Sequence, residues 1–254
     1  MRQFFLEIDE GASADPGQTV ALDQDESHHL FTVLRGGRDL VLNLTDGRGR
    51  RYTAKSVGKK GKIAQVEILM VSEDQSELEQ PQLGLACAVV KGKRFEWALE
   101  KAVELGAHRI TPLITDHGVI EPGSGRRQRW LTIMKSALKQ SGRCWLPLLN
   151  EPIPLDEALL RNGGLALFGA VPGEVPETRP WIDLLDSPPQ PMAENLTMFI
   201  GPEGGWSAPE LALLVGRGAV AVELGPHVMR TETAAVAGLA ALQTLRQGWS
   251  IQKI

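Results

Sequence analysis

Leu196-Thr197-Met198-Phe199-Ile200-Gly201-Pro202-Glu203-Gly204-Gly205-Trp206-Ser207-Ala208-Pro209-Glu210 decides the fold class. Residues 196–200 form an apolar run of strand length that stops at a glycine-rich bend. Ser207 and Glu210 then have the spacing of a capping box, so a helix opens directly after the bend. The same order recurs downstream: residues 220–224 read as a strand, Gly225-Pro226 as a turn and residues 231–247 as a helix. Upstream, residues 83–90, 109–114 and 165–168 are further strand-length runs. Phe95, Ala98, Leu99, Ala102 and Val103 repeat at helical spacing before Gly106, as do Trp130, Ile133, Met134, Ala137 and Leu138. Those stripes are core. Strands alternating with helices predict an α/β domain with a parallel sheet over residues 83–254.

The segment before it has another character. Residues 18–22, 39–44 and 63–69 read as short strands, with a turn signal at Asp46-Gly47 and a short helix over 26–34. Residues 1–72 are therefore expected to form a small β unit of the barrel kind, whose basic rim suits RNA. Residues 73–82 are polar and acidic, end in Pro81 and read as a linker. Ser187-Pro188-Pro189-Gln190-Pro191 reads as a loop.

Composition narrows the class. The chain has 254 residues, 43% hydrophobic and 23% charged, the mix of a globular protein and not of a disordered one. No apolar run reaches the ~18–20 residues of a membrane helix. The N-terminal stretch turns acidic before a signal-peptide core forms, so the expectation is a cytoplasmic protein without membrane association. Cys87 and Cys144 are the two cysteines; they offer no metal cluster and read as small buried residues.

Charge is segregated. Residues 35–62 carry nine basic and two acidic side chains, a net +7, and residues 91–143 carry a net +6. Residues 144–201 carry a net −6. Two basic regions in a chain of net charge −4 suit a polyanionic partner, although solvated faces would leave the same record.

Ligands of open α/β sheets bind beyond the carboxyl ends of the strands. Two such ends are unusual here: residues 200–207, and Leu224-Gly225-Pro226-His227-Val228-Met229-Arg230-Thr231-Glu232-Thr233-Ala234-Ala235. Neither is a dinucleotide or phosphate-loop fingerprint, and the zinc-protease and serine-hydrolase motifs are missing. The small residues of Ala235-Val236-Ala237-Gly238 permit close packing of another helix or chain.

Together the two loops resemble those of the RsmE-type 16S rRNA uridine N3-methyltransferases of the SPOUT superfamily. That family carries I-G-P-E-G-G-[LFW]-[ST]-x-x-E, matched by Ile200 to Glu210, and L-G-x-R-[IV]-L-R-x-E-T-A, matched by Leu224 to Ala234. Lys91-Gly92-Lys93-Arg94-Phe95-Glu96, Lys101 to Gly106, Gln140-Ser141-Gly142-Arg143, His29 and Val33-Leu34-Arg35 extend the resemblance over nearly the whole chain. It implies a PUA-like RNA-binding barrel, a parallel sheet with a C-terminal trefoil knot, a homodimer, and S-adenosylmethionine as cofactor, without metal. It places Phe168, Gly169, Ile200, Gly201, Pro202, Glu203, Gly204, Leu224, Gly225 and Met229 around that cofactor. The implied reaction is methylation of uridine N3 in 16S rRNA of the assembled small subunit.

Uridine N3 must lose its proton before it is a useful nucleophile. Such a reaction needs a base, or donors that stabilise charge spreading onto O2 and O4. Arg230 is the candidate donor; Glu203 and Glu232 are candidate bases or orienting groups. Arg35, Arg48, Arg50, Arg51, Lys59, Lys60, Arg94 and Arg143 are candidate phosphate contacts. The chain departs from the family where Thr32, His117 and His227 replace arginines and Lys139 replaces a glutamate. A related methyltransferase with another RNA target, or a non-catalytic RNA-binding protein, also fits those departures.

Overall fold

The computed structural model describes all residues except 1–2, 10, 11, 13, 76, 78–80, 119–124, 172, 187–192 and 252–254. The proline-rich stretch at 187–191 and part of the expected linker therefore lie outside the described residues. Two compact units emerge: Met1–Glu77 with Lys135–Leu146, and Leu78–Met134 with Pro147–Ile254.

The first unit is built on a five-stranded sheet. Its strands are β1 (Gln3–Phe5), β2 (Thr19–Ala21), β3 (Val41–Thr45), β4 (Arg50–Lys60) and β5 (Ile63–Glu73), in the order β1-β3-β4-β5-β2. β1 joins β3 in parallel and the other pairs are antiparallel. Helix α1 (Gln24–His28) starts at Asp23, whose side chain accepts the Glu26 N–H at 2.7 Å. It continues as a π-helical turn over His29–Val33. Phe4, Leu6, Leu30, Leu44, Tyr52, Val66 and Ile68 form the core. β4 was not foreseen as a strand. Its buried residues Tyr52, Ala54 and Ser56 alternate with Arg51, Thr53 and Lys55, and the small inward side chains dilute the apolar signal inside a basic stretch. Residues 135–146 join this unit through backbone bonds: Gly49 N–H to Cys144 O at 2.9 Å and Leu146 N–H to Gly47 O at 2.8 Å.

In the second unit the elements are β6 (Gln82–Ala88), α2 (Arg94–Glu104), β7 (Arg109–Ile114), α3 (Arg126–Ser141, whose last turns belong to the first unit), β8 (Leu148–Leu149) and β9 (Ile153–Pro154). They continue with α4 (Leu155–Leu160), β10 (Leu165–Gly169), β11 (Arg179–Pro180), β12 (Asn195–Ile200), α5 (Ala208–Gly216), β13 (Val220–Glu223) and α6 (Thr231–Ile251). All strand pairings are parallel, in the order β11-β13-β10-β12-β6-β7-β8, with β9 also against β7.

Helices cover both faces, so the central strands are apolar on both sides. Phe168, Phe199 and Ala86 face α4 and α5 in a cluster with Leu155, Ala158 and Leu214. Met198 faces the other way, toward α6. Gly238 is required at that crossing: a Cβ would lie 2.6 Å from Met198 Cγ. The small-residue stretch at 235–238 thus packs α6 closely on β12. On the same face lies α2, with its predicted stripe from Phe95 to Val103 fully buried. Each large side chain in that stripe stabilises the unit by about 1.5–3 kcal/mol. Phe95 and Trp130 pack with ring centroids 4.8 Å apart.

Candidate active site

Three neighbouring strands, β13, β10 and β12, end side by side, and the loops that leave them enclose one cleft. The sheet order explains why distant segments converge: β10 pairs with both β12 and β13, so Gly169 and Ile200, which end β10 and β12, and Leu224, which follows β13, come side by side. Of the residues expected around a cofactor, Gly169, Ile200, Gly201, Pro202, Glu203, Leu224, Gly225 and Met229 line this cleft. Two do not. Phe168 is buried in the core on the α4–α5 face, because alternate strand residues point to opposite sides. Gly204 turns toward His117, whose Cβ would stand 3.1 Å from a Cβ at that position.

Specific bonds hold the loop after β12. The Trp206 indole N–H donates to Gly169 O at 3.2 Å, and a Cβ on Gly201 would stand 3.0 Å from the Trp206 ring. Glu210 completes the predicted capping box: its carboxylate accepts the Ser207 N–H at 2.8 Å, while Ser207 Oγ accepts the Glu210 N–H at 3.3 Å. The other Glu210 oxygen accepts the Asp116 N–H at 3.0 Å, which ties in the loop after β7. A buried glutamate is retained here because each oxygen has a backbone donor. His117, at a position where the family has arginine, places Nδ1 3.2 Å from Gly205 O. Thr231 Oγ1 donates to Gly201 O at 3.1 Å and joins the start of α6 to the same loop.

Sequence reasoning missed Val171 and Glu174, which supply a wall of the cleft from the loop after β10. Glu174 accepts the Val171 N–H at 3.2 Å. The short turn carried no signal beyond a proline and a glycine. Val228, His227, Thr231 and Ala234 also reach the cleft. Its lining is mainly apolar, with the carboxylates of Glu174 and Glu203 the acidic groups in it.

The three catalytic candidates are placed differently. Glu203 lines the cleft and forms an ion pair with Arg94, the first residue of α2. Glu232, in the first turn of α6, lies with Oε1 4.0 Å from Arg94 Nε; its Oε2 is buried without a hydrogen-bond partner among the described residues. Arg230 is exposed just before α6 and does not line the cleft. The Cys87 thiol is pushed up to about 12, first by burial and then by the charge of Glu232, so it stays neutral.

The basic candidates divide as well. Arg35, Lys59 and Lys60 are exposed on the first unit, with the Lys59 ammonium 5.8 Å from the centre of the Phe31 ring. Arg48 and Arg50 donate to the carbonyls of Asp9 and Ala12 at 3.2 and 3.1 Å, and Arg51 pairs with Asp74 at 3.1 Å. Arg94 is engaged with the two glutamates. Arg143 is not presented to solvent: its side chain is 9% exposed and donates to Glu77, with Nε at 2.8 Å. The lysine at position 139, where the family has glutamate, pairs with buried Glu26.

Residues 76–243 match the RNA methyltransferase domain family. The chain is 31% identical over 243 residues to Ribosomal RNA small subunit methyltransferase E of Mycobacterium tuberculosis, covering 92% of this chain and 90% of that protein. It is 30% identical to the Synechocystis protein of the same name, covering 89% and 73%. Among solved structures, Ribosomal RNA small subunit methyltransferase E from Neisseria gonorrhoeae bound to S-adenosyl methionine superposes with a TM-score of 0.79 at 30% identity, over 96% of this chain and 98% of that one. A Legionella pneumophila protein solved with bound cofactor SAM gives 0.83 at 33% identity, over 95% and 96%.

Proposed function

Because this chain belongs to the RNA methyltransferase domain family, we propose that it methylates N3 of a uridine in 16S rRNA, using S-adenosylmethionine, within the assembled small subunit. The observation that carries this reading is the convergence of the Ile200–Glu210 and Leu224–Ala234 motifs on one cleft at parallel strand ends. Similarity over 89% and 92% of this chain to proteins named for small-subunit rRNA methylation supports the substrate.

The cleft suits the cofactor. Ile200, Leu224, Val228 and Met229 offer apolar walls for an adenine ring and thioether arm. Glu174 and Glu203 suit a ligand that carries positive charge on sulfonium and ammonium groups. When bound there, S-adenosylmethionine supplies an electrophilic methyl group for in-line displacement.

The chain's own residues supply positioning and electrostatics, which account for much of the rate in a displacement of this kind. Gly201 and Gly225 let the backbone close around the cofactor without side-chain bulk. Glu203 at the cleft and Glu232 behind it are the groups that can hold or accept the N3 proton. Arg230 is exposed and able to reach a substrate, and its guanidinium stabilises charge building on the uracil oxygens. The first unit acts as a PUA-like RNA-binding barrel, with Arg35, Lys59 and Lys60 on phosphates. The sheet unit carries a trefoil knot at its C-terminal loops and works as a cytoplasmic homodimer. Incubation of the purified chain with small subunits lacking the modification, followed by mass spectrometry of nucleosides, tests the reading. Formation of 3-methyluridine supports it; another methylated nucleoside, or none, contradicts it.

A further inference from the structure

We propose that Arg94 is a positioning residue of the active site, which holds Glu203 and Glu232 together and so fixes the two cofactor loops against each other. This rests on the function proposed above. The two carboxylates come from different elements, Glu203 from the loop after β12 and Glu232 from the first turn of α6, and Arg94 contacts both. α2 is a firm base for that contact, because Phe95, Ala98 and Leu99 directly behind Arg94 are buried.

The electrostatics give the pair a need for this arginine. Glu232 is largely buried, with its side chain 14% exposed, and its Oε2 has no hydrogen-bond donor among the described residues. Removal of the guanidinium leaves two carboxylates close together, one of them poorly solvated, an arrangement that drives the groups apart. Glu203 lines the cleft, so its displacement opens the loop that Trp206 and Thr231 otherwise hold. A planar guanidinium can serve both carboxylates at once, whereas a lysine ammonium is a single compact charge. Arg94 therefore acts on the cofactor cleft through Glu203 and Glu232, and not as a surface contact for RNA phosphate.

The test compares wild type, Arg94→Ala, Arg94→Lys and the double variant Arg94→Ala/Glu232→Gln. S-adenosylmethionine affinity is measured by calorimetry without RNA, kcat and KM for small subunits by methyl transfer, and folding by thermal melting. Arg94→Ala is expected to weaken cofactor binding roughly tenfold, with KM for the subunit little changed, as coupled neighbours typically interact at that level. Arg94→Lys is expected to recover part of the loss. Neutralising Glu232, which does not line the cleft, in the alanine background is expected to recover part of the cofactor affinity, which a purely structural or RNA-contacting arginine would not produce. Unchanged cofactor affinity in Arg94→Ala, with a higher KM for the subunit, overturns the inference. If Arg94→Ala fails to fold, Arg94→Lys decides: wild-type affinity and kcat in that variant overturn it. A wild-type chain that binds no S-adenosylmethionine would overturn the proposed function itself, a result separate from any difference among the variants.

Discussion

The indole N–H of Trp206 donates to the carbonyl of Gly169 at 3.2 Å, which bonds the loop after β12 to the last residue of β10. Beneath the same ring lies Gly201, where an added Cβ would stand 3.0 Å from the indole. Gly201→Ala should therefore displace Trp206 from Gly169 and deform the cleft. The expected result is cofactor affinity about tenfold weaker, since loss of a hydrogen bond and of shape together is on the order of 1–2 kcal/mol. Calorimetry measures it, and wild-type affinity would show that the ring does not shape the site.

Arg230→Ala separates chemistry from binding. The side chain is exposed and off the cleft lining, so S-adenosylmethionine affinity and melting temperature should be unchanged. If the guanidinium stabilises developing charge, kcat should fall by roughly 10²–10³. Near-normal turnover would exclude that role.

Loss of Arg143 should act on stability and not on RNA. The Arg143–Glu77 pair is largely buried, so removing one of its partners is destabilising by about 3 kcal/mol. Arg143→Ala should lower the melting temperature without altering the salt dependence of RNA binding. Lys59→Ala with Lys60→Ala should do the reverse and flatten the slope of log affinity against log salt.

Glu26 makes stability depend on pH. Burial raises its pKa above the ordinary glutamate range, and the Lys139 hydrogen bond only partly opposes that shift. A carboxyl whose folded pKa is raised contributes most below its unfolded value, and the contribution is lost as pH rises through the folded value. Glu26→Gln, which cannot ionise, should be more stable relative to wild type at pH 7 than at pH 4. Melting curves at both pH values check this; an equal difference would mean that the buried carboxyl is fully compensated by Lys139.

The sheet unit was legible where local chemistry is strong. The alternating strands and helices, the Ser207–Glu210 capping box and the buried stripe of α2 all follow from spacing, because each is fixed by neighbours within one or two turns. β4 was hidden, since its inward positions carry small or hydroxyl side chains and its outward ones are basic. Phe168 lies one residue of strand phase from Gly169, which puts its side chain in the core and not in the cleft. The engagement of Arg143 with Glu77, and of Arg94 with two distant glutamates, depends on tertiary contacts that no local pattern encodes. Lys139 shows the same point: a departure from the family pattern in sequence becomes the partner of a buried acid in space.

A crystal of this chain soaked with S-adenosylmethionine locates the methyl donor outright. The ligand is expected in the cleft bounded by Gly169, Gly201 and Gly225. Ligand density at any other place, or an empty cleft at saturating concentration, would contradict that placement.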